Sequence, residues 1–551
     1  MAKDSAVGET PTNLTNVKET IESILVAFIL AFIFRAFIVE AFVIPTGSMG
    51  PTLMGAHLRL TCPDCGYHFQ ANYNAHNAEG DDTDIPSTDP RLAGEVRTCP
   101  NCGYRIVLHD NPGVYFGDRI LVLKYRYLLQ QPDPWDVVVF KSPFESKRDP
   151  DDPKYETNYI KRLIGRPGES IMILDGDIYV GAEGTKPQDF KIRRKSNHAQ
   201  TVLWRDVYDN DYLAHGLARD TTSPWEEPWR ADQNTGWSGP YGAGDPNRIF
   251  TFDNEHGEGA IQFNSNVNHT NFDGLTDWLA YDQMNATNHV SDLKLSLQYH
   301  KLKGDGPLKL QLTKRDDCFT AEIVGDKIRL WRHRILQADP LTLGSPVWLA
   351  PLEVSVPQLL STQSPPFIEF ANVDYRVSIR VNGKEVLATD DTQYTPATAA
   401  LYDEAVRSMN EFNRRAELPK PQIRIIALQQ TCTIEHLRLA KDVFYLNNGN
   451  HYDASGSSVA QLYFGSPENI VHLGPDEYFV LGDNSQVSLD ARFWGAPVNL
   501  PSEGDYHAQP GRVPGRFLLG KAFFVYWPAG YRIPSTTVGV EPDFGDMRLI
   551  H

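Results

Sequence analysis

From Ile24 to Phe34 the chain reads ILVAFILAFIF, eleven residues without a polar side chain. Arg35 interrupts, Ala36–Val39 resumes, Glu40 interrupts again, and Ala41–Ile44 follows. A helix that crosses a bilayer needs roughly 20 mostly apolar residues, so the clean run is short. A helix beginning near Val17, with Arg35 snorkelling to the interface, reaches that length. The expectation is a membrane anchor over 20–40 behind a polar tail, 1–19, in which Lys3 and Lys18 are diluted by acids. The other reading is a buried amphipathic helix. No small-x-small site follows the run, which argues against a cleaved leader.

The chain has 551 residues, too many for one ordinary core. Its formal net charge is -18, which argues against nucleic acid as a partner, because phosphate contacts need basic patches. From Gly117 to about Val180 the pattern is that of strands: ILVLKY, DVVVF, NYIKRLI, SIMIL and DIYV, each short, rich in β-branched residues and bounded by Gly, Pro or Asp. Residues 470–530 return to the same style. Between them, 190–465 reads differently. Its first part, 205–290, is rich in Trp, Asn, Asp and Gly. Apolar residues then alternate at Leu293–Tyr299, at Leu308–Leu312 and at Val373–Val381. The last run enters Asn382-Gly383, a type I′ hairpin signal. These regular strands predict a β-sandwich, of a kind similar to concanavalin-like jelly rolls. Residues 398–416 look helical.

Four of the six cysteines form two pairs, Cys62-Pro-Asp-Cys65 and Cys99-Pro-Asn-Cys102, each followed by Gly-Tyr. Two such knuckles are a zinc-ribbon signal, since four thiolates suit a tetrahedral ion. Between the pairs lies an acidic loop, Glu79–Asp89. Cys318 and Cys432 are either core residues or a long-range disulfide.

Ser48 sits in Ile44-Pro-Thr-Gly-Ser-Met-Gly-Pro-Thr-Leu53, where two prolines and two glycines make a rigid turn just beyond the apolar run. Lys161 lies in Asn158-Tyr-Ile-Lys-Arg-Leu-Ile164. On a strand it shares a face with Tyr159 and Leu163, and burial there favours the neutral amine. A neutral lysine can accept the proton of a serine hydroxyl. A third stretch, Gly482-Asp-Asn-Ser-Gln-Val-Ser-Leu-Asp-Ala-Arg-Phe-Trp-Gly495, sets Ser488, Asp490 and Arg492 at alternate positions. There a hydroxyl can orient the amine, and the acid and base can pair.

Together these stretches resemble the type I signal peptidases. The resemblance rests on PTGSMGPTL, GDRILVLKY (117–125), YIKRLIGRPGE (159–169), LGDNSQVSLDARFWG (481–495) and LLGKAFFVYWP (518–528), in family order behind an anchor ending in Arg35-Ala-Phe. It covers roughly 15–60, 110–180 and 470–530. It implies a serine endopeptidase with a Ser/Lys dyad, Ser48 as nucleophile and Lys161 as general base. Thr46 and the Ser48 N–H would form the oxyanion hole, and Ser488 would hydrogen-bond the Lys161 amine. Ile44, Met49, Leu53, Tyr159 and Ile160 would line shallow pockets for small side chains. Ala491 departs from the family pattern, where serine is common. The implied partners are signal peptides of exported preproteins and membrane lipid, with the N-terminus cytoplasmic and catalysis on the outer face of the inner membrane. That side of the membrane permits disulfides, so zinc at Cys62, Cys65, Cys99 and Cys102 competes with cystines. No cofactor is expected for catalysis.

The expected fold is mainly β. A peptidase core over 41–56, 110–189 and 466–535 carries a zinc-ribbon-like insert, 57–109, and a separable sandwich-like insert, 190–465, with a C-terminal tail over 536–551. The expected activity is removal of signal peptides. A self-cleaving repressor of the same dyad class lacks an anchor. The reading from another class is a membrane-anchored binding protein whose sandwich recognises a glycan or a protein beside a relic peptidase core.

Overall fold

A computed structural model describes residues 13–551 except 74–84, 87, 145–156, 218–224, 232–234, 241–246, 266–272, 285, 339–340, 362–363, 413–417, 448–449, 453–457, 461–462, 496–508, 529–530, 533–538 and 542–543. Most of the expected acidic loop and the first twelve residues of the expected tail lie outside the described residues. The protein is mainly β, as expected.

The first element is a helix, Asn13–Phe37. Its apolar side chains face outward, with Phe28 60% and Phe32 67% exposed. The alternative of a buried amphipathic helix is therefore not what this chain forms. Among the described residues no helix is long and apolar enough to cross a membrane. Lys18, Glu19 and Glu22 interrupt the apolar stretch at one end and Arg35 at the other.

Segments far apart in sequence build one eight-stranded sheet. Val39–Val43 pairs with Arg119–Leu123, which pairs with Leu518–Trp527, then Val137–Lys141, Asn158–Gly165, Glu477–Leu481 and Val513–Pro514. The β-branched runs predicted these strands, and both faces are covered: Val138 and Phe140 on one face and Val137 and Val139 on the other are all 2% exposed or less. The expected C-terminal tail instead joins this sheet. Arg548–Leu549 pairs with Leu518–Trp527, and Arg548 Nη2 reaches Asp118 and the Thr52 carbonyl, both at 2.9 Å. An arginine with two fixed acceptors has no reason to stay in solvent.

Hydrogen bonds join the strands of the large insert into one 14-stranded sheet. The reason is Ile423–Lys441, a 19-residue strand long enough to pair with Phe250–Phe263 and Leu308–Lys314 near one end and with Leu293–Gly304 and Arg205–Asp209 near the other. Leu293, Leu295, Leu297, Leu308, Leu310 and Leu312 are all fully buried, as their alternation predicts. Asn382 and Gly383 have φ of 51° and 77° and turn the predicted hairpin. The run Val373–Val381 is broken by a second two-residue turn at Asp374-Tyr375, both with positive φ. Such a turn leaves the alternation count intact, so period alone does not reveal it. Cys318 and Cys432 are buried free thiols, not a disulfide.

The insert is not a lobe on a stalk. Met172, Leu174 and Tyr179 share one apolar cluster with the insert's Leu293, Leu310, Phe319 and Ile425. Ion pairs cross the same boundary: Lys314 Nζ lies 3.1 Å from Asp177, and Arg315 Nη1 lies 2.8 Å from Asp175. The insert's two ends return to one sheet, where Lys191–Ile192 and Val471–His472 flank the hairpin 169–182.

Candidate active site

The Ser48 turn is shaped by residues that a side chain would obstruct. Thr46 is extended, Gly47–Met49 makes one tight turn, and Ser48 is half-buried. Asn484 holds it from behind: its backbone N–H donates to the Ser48 carbonyl at 3.1 Å and its side-chain amide to the Gly47 carbonyl at 3.0 Å. A Cβ on Gly482 would stand 2.4 Å from the Ser48 carbonyl oxygen and 2.1 Å from Ser488 Oγ. Glycine is therefore what lets the 482 turn approach the serine.

Lys161 comes from the strand Asn158–Gly165 and is 2% exposed. Its Nζ lies 2.7 Å from Ser48 Oγ and 3.0 Å from the Ile160 carbonyl. The Tyr159 ring lies 5.6 Å away on the same face. Among the described residues no carboxylate forms an ion pair with it. Burial lowers its pKa to about 8, and the fields of Asp490 and Asp483 oppose that shift. The geometry and the weakened charge together suit proton transfer from the serine hydroxyl to the amine.

Residues 482–495 form turns rather than a strand. Ser488, Asp490 and Arg492 therefore do not share a strand face. The expected hydrogen bond from Ser488 to Lys161 is not formed: Ser488 Oγ is buried with no partner among the described residues. Asp490 and Arg492 do pair, through two contacts of 2.8 Å with neither side chain exposed. Asp490 also accepts the Gly482 N–H at 2.9 Å, and Arg492 holds the Ser485 carbonyl and the Leu446 carbonyl. A second sealed pair was not anticipated from the sequence. Arg162, next to the lysine, donates to Asp483 at 2.6 and 2.7 Å. Its signal was the acid of the Gly-Asp-Asn turn, which has no partner nearby in sequence.

Thr46 is exposed, with Oγ1 3.5 Å from Ser48 Oγ. The expected pocket residues divide. Ile44, Met49 and Leu53 are 1% exposed or less, packed with Val122, Val137 and Val139 beneath the turn. They form the floor of the site, not an open wall. Ile160 and Tyr159 are half-buried, and Tyr159 packs with Phe140, Phe144 and Trp494. Trp494 lay in the motif without an assigned role. The insert also reaches the turn: Tyr281 fills the space a Cβ on Gly50 would need, 2.4 Å away, and Asp282 accepts from Asn72 Nδ2 at 2.8 Å.

Away from the serine, hairpins 57–72 and 96–107 bring the two knuckles together. Gly66 and Gly103 adopt the left-handed backbone these turns require, with φ of 77° and 71°. Cys62 Sγ lies 3.6 Å from Cys102 Sγ, and Cys65 Sγ lies 3.7 Å from Cys99 Sγ. All four sulfurs are buried, free and within 4.8 Å of one another. The competing cystines are not formed. Sulfurs bound at about 2.3 Å to one tetrahedral ion stand roughly 3.8 Å apart, so the four residues fit a metal.

The family described as "Signal peptidase, peptidase S26" matches residues 108–223 and 378–527. Lys161 and the whole 482–495 stretch fall inside the match, and Ser48 lies before it. Over those residues the chain resembles the peptidase S26 family. It is similar to signal peptidase I of Rickettsia bellii (strain OSU 85-389), 28% identical over 20% of this chain and 36% of the relative. Signal peptidase I of Rickettsia typhi is 28% identical over 31% of this chain and 46% of the relative. The chain thus spans less than half the length of these curated relatives. Among solved structures, the carbohydrate-binding module CBM66 from Bacillus subtilis aligns with 39% of this chain and 96% of its own, at 9% identity and a TM-score of 0.22. The laminarinase from Rhodothermus marinus aligns with 44% of this chain and 98% of its own, at 10% identity and a TM-score of 0.24. Likenesses of that degree assign this chain no ligand.

Proposed function

We propose that this chain is a membrane-associated serine endopeptidase that cleaves signal peptides from exported preproteins with a Ser48/Lys161 dyad. The observation that carries the reading is the 2.7 Å separation of Ser48 Oγ and Lys161 Nζ, with the amine buried and without a carboxylate partner among the described residues. Neutral Lys161 takes the serine proton as Oγ attacks the scissile carbonyl, then returns it to the leaving amine. The Thr46 hydroxyl and the Ser48 N–H receive the developing oxyanion. Ser488 serves by shape, filling the space beside Gly482, and its hydroxyl becomes available to the amine once Oγ turns to substrate. Asp490–Arg492 and Arg162–Asp483 keep the surrounding turns fixed.

The exposed apolar side chains of Asn13–Phe37 support lipid contact by this helix, with the peptidase core on the outer side of the cytoplasmic membrane. Zinc at Cys62, Cys65, Cys99 and Cys102 is structural in this reading. It ties the two knuckles together and supplies nothing to the dyad. The division into a core over 41–56, 110–189 and 466–535 with inserts between is part of the same proposal. Purified protein in detergent should cut a preprotein at its leader junction, and Ser48→Ala and Lys161→Ala should each abolish cutting with the fold intact. Turnover by either variant would end the dyad reading.

A further inference from the structure

Among the described residues, the buried cations outside the dyad form ion pairs with two exceptions. Arg162, Arg492, Lys195 and Lys314 each face a carboxylate at ion-pair distance. Arg205 and Lys441 are 7% and 3% exposed, and among the described residues neither forms an ion pair. Both line the same cleft, of about 200 Å³, where the nucleophile turn, the first knuckle hairpin and the insert meet through Pro51, Phe69, Trp278 and Tyr281. Lys441 Nζ spends its donors on the carbonyls of Gly274, Thr276 and Trp278, at 2.9, 2.6 and 2.8 Å. Arg205 Nη1 donates to the carbonyls of Val202 and Trp204, and Nη2 to Thr52 Oγ1 at 3.1 Å. Its Nε has no partner among the described residues. That leaves Nε–H and one Nη2–H of a buried guanidinium beside a cleft. Leaving such a charge uncompensated is costly, and an incoming anion removes the cost.

We propose that this cleft binds a small organic carboxylate. The carboxylate is taken by Arg205, and its apolar body lies against Phe69, Trp278 and Tyr281. Arg205 and Lys441 are the cationic side chains on the cleft wall, and Asp206, which accepts from Tyr67 Oη at 2.9 Å, is the acidic one. Asp277 and Asp273 act on Lys441, which leaves Arg205 as the group that takes the anion. His68 on the same wall is occupied with Thr61 Oγ1. The volume equals that of roughly six or seven waters, enough for a compact aromatic acid. The free N–H groups of the guanidinium match the two oxygens of a carboxylate. The site is independent of the dyad reading, since binding there needs neither Ser48 nor Lys161.

Calorimetric titration of the full chain in detergent, at fixed ionic strength, tests the site with benzoate, neutral benzamide and inorganic phosphate. Benzoate should bind with a Kd on the order of 1 mM or tighter. Benzamide and phosphate should each bind roughly tenfold more weakly or worse, and Arg205→Gln should weaken benzoate by a similar factor. Equal affinity for benzamide would overturn the role of charge, and equal affinity for phosphate the role of the apolar wall. Undiminished benzoate binding by folded Arg205→Gln would overturn the location. The comparison of the three probes on the unaltered chain decides the matter even where that variant fails to fold.

Discussion

Arg162 and Asp483, 321 residues apart, close a two-pronged ion pair in which neither side chain is exposed. Arg162 is the neighbour of Lys161, and Asp483 is the neighbour of Asn484, which holds the Ser48 carbonyl. The pair therefore fixes the strand of the lysine against the turn that supports the serine. Removing one partner strands a buried charge. Asp483→Ala should cost about 3–5 kcal/mol of stability, read from the denaturant midpoint. A loss under about 1 kcal/mol would show that water reaches the guanidinium.

The pH dependence follows from Lys161. Burial places its pKa near 8, below the usual lysine value, and in the proposed mechanism the working form is the neutral amine. kcat/KM should climb as pH rises and level off above about 8, because deprotonation creates the base. A flat profile between pH 6 and 9, or one that falls across that range, would exclude Lys161 as the group that titrates.

Gly482→Ala tests the fit of the second turn against the first. The new methyl would meet the Ser48 carbonyl at 2.4 Å, so one of the two turns must move. Displacing a nucleophile by about 1 Å costs on the order of a hundredfold in rate. Cleavage assays should show that loss in kcat with far-UV circular dichroism unchanged. Wild-type turnover would mean that the turn yields without moving the serine.

Deleting 190–465 should not leave a working core. The deletion uncovers Met172, Leu174 and Tyr179, leaves Asp177 without Lys314, and removes Tyr281 from the back of Gly50. Soluble, folded and active deletion protein would show that the shared apolar cluster is dispensable.

Chelation separates metal from mechanism. Elemental analysis should find one zinc per chain. A strong chelator should make 57–109 more sensitive to protease, since the sulfurs of the two knuckles converge on one point. Cleavage of preprotein should persist through the first minutes of that treatment. Immediate loss of turnover ahead of any proteolytic nicking would tie the metal to catalysis.

The sequence by itself determined the local pieces. β-branched runs set the strands of the eight-stranded sheet, alternation set the inward leucines of 293–312, and Asn382-Gly383 set its hairpin. The spacing of Cys62, Cys65, Cys99 and Cys102 set a four-sulfur cluster, and the motif residues Ser48 and Lys161 marked the site. Each is a short-range property of period, turn chemistry or spacing. Only the tertiary structure decided how the pieces meet. Ser488 missed the lysine because residues 482–495 turn rather than extend. Ile44, Met49 and Leu53 went beneath the site because the turn folds back onto the sheet. Arg548 left the expected tail because Asp118 and the Thr52 carbonyl stood within its reach. The insert fused with the core because Met172, Leu174 and Tyr179 join its apolar cluster, and because Lys314 and Arg315 find Asp177 and Asp175 across the boundary. Such contacts join residues hundreds of positions apart, and neither periodicity nor local motif encodes which distant partner will arrive.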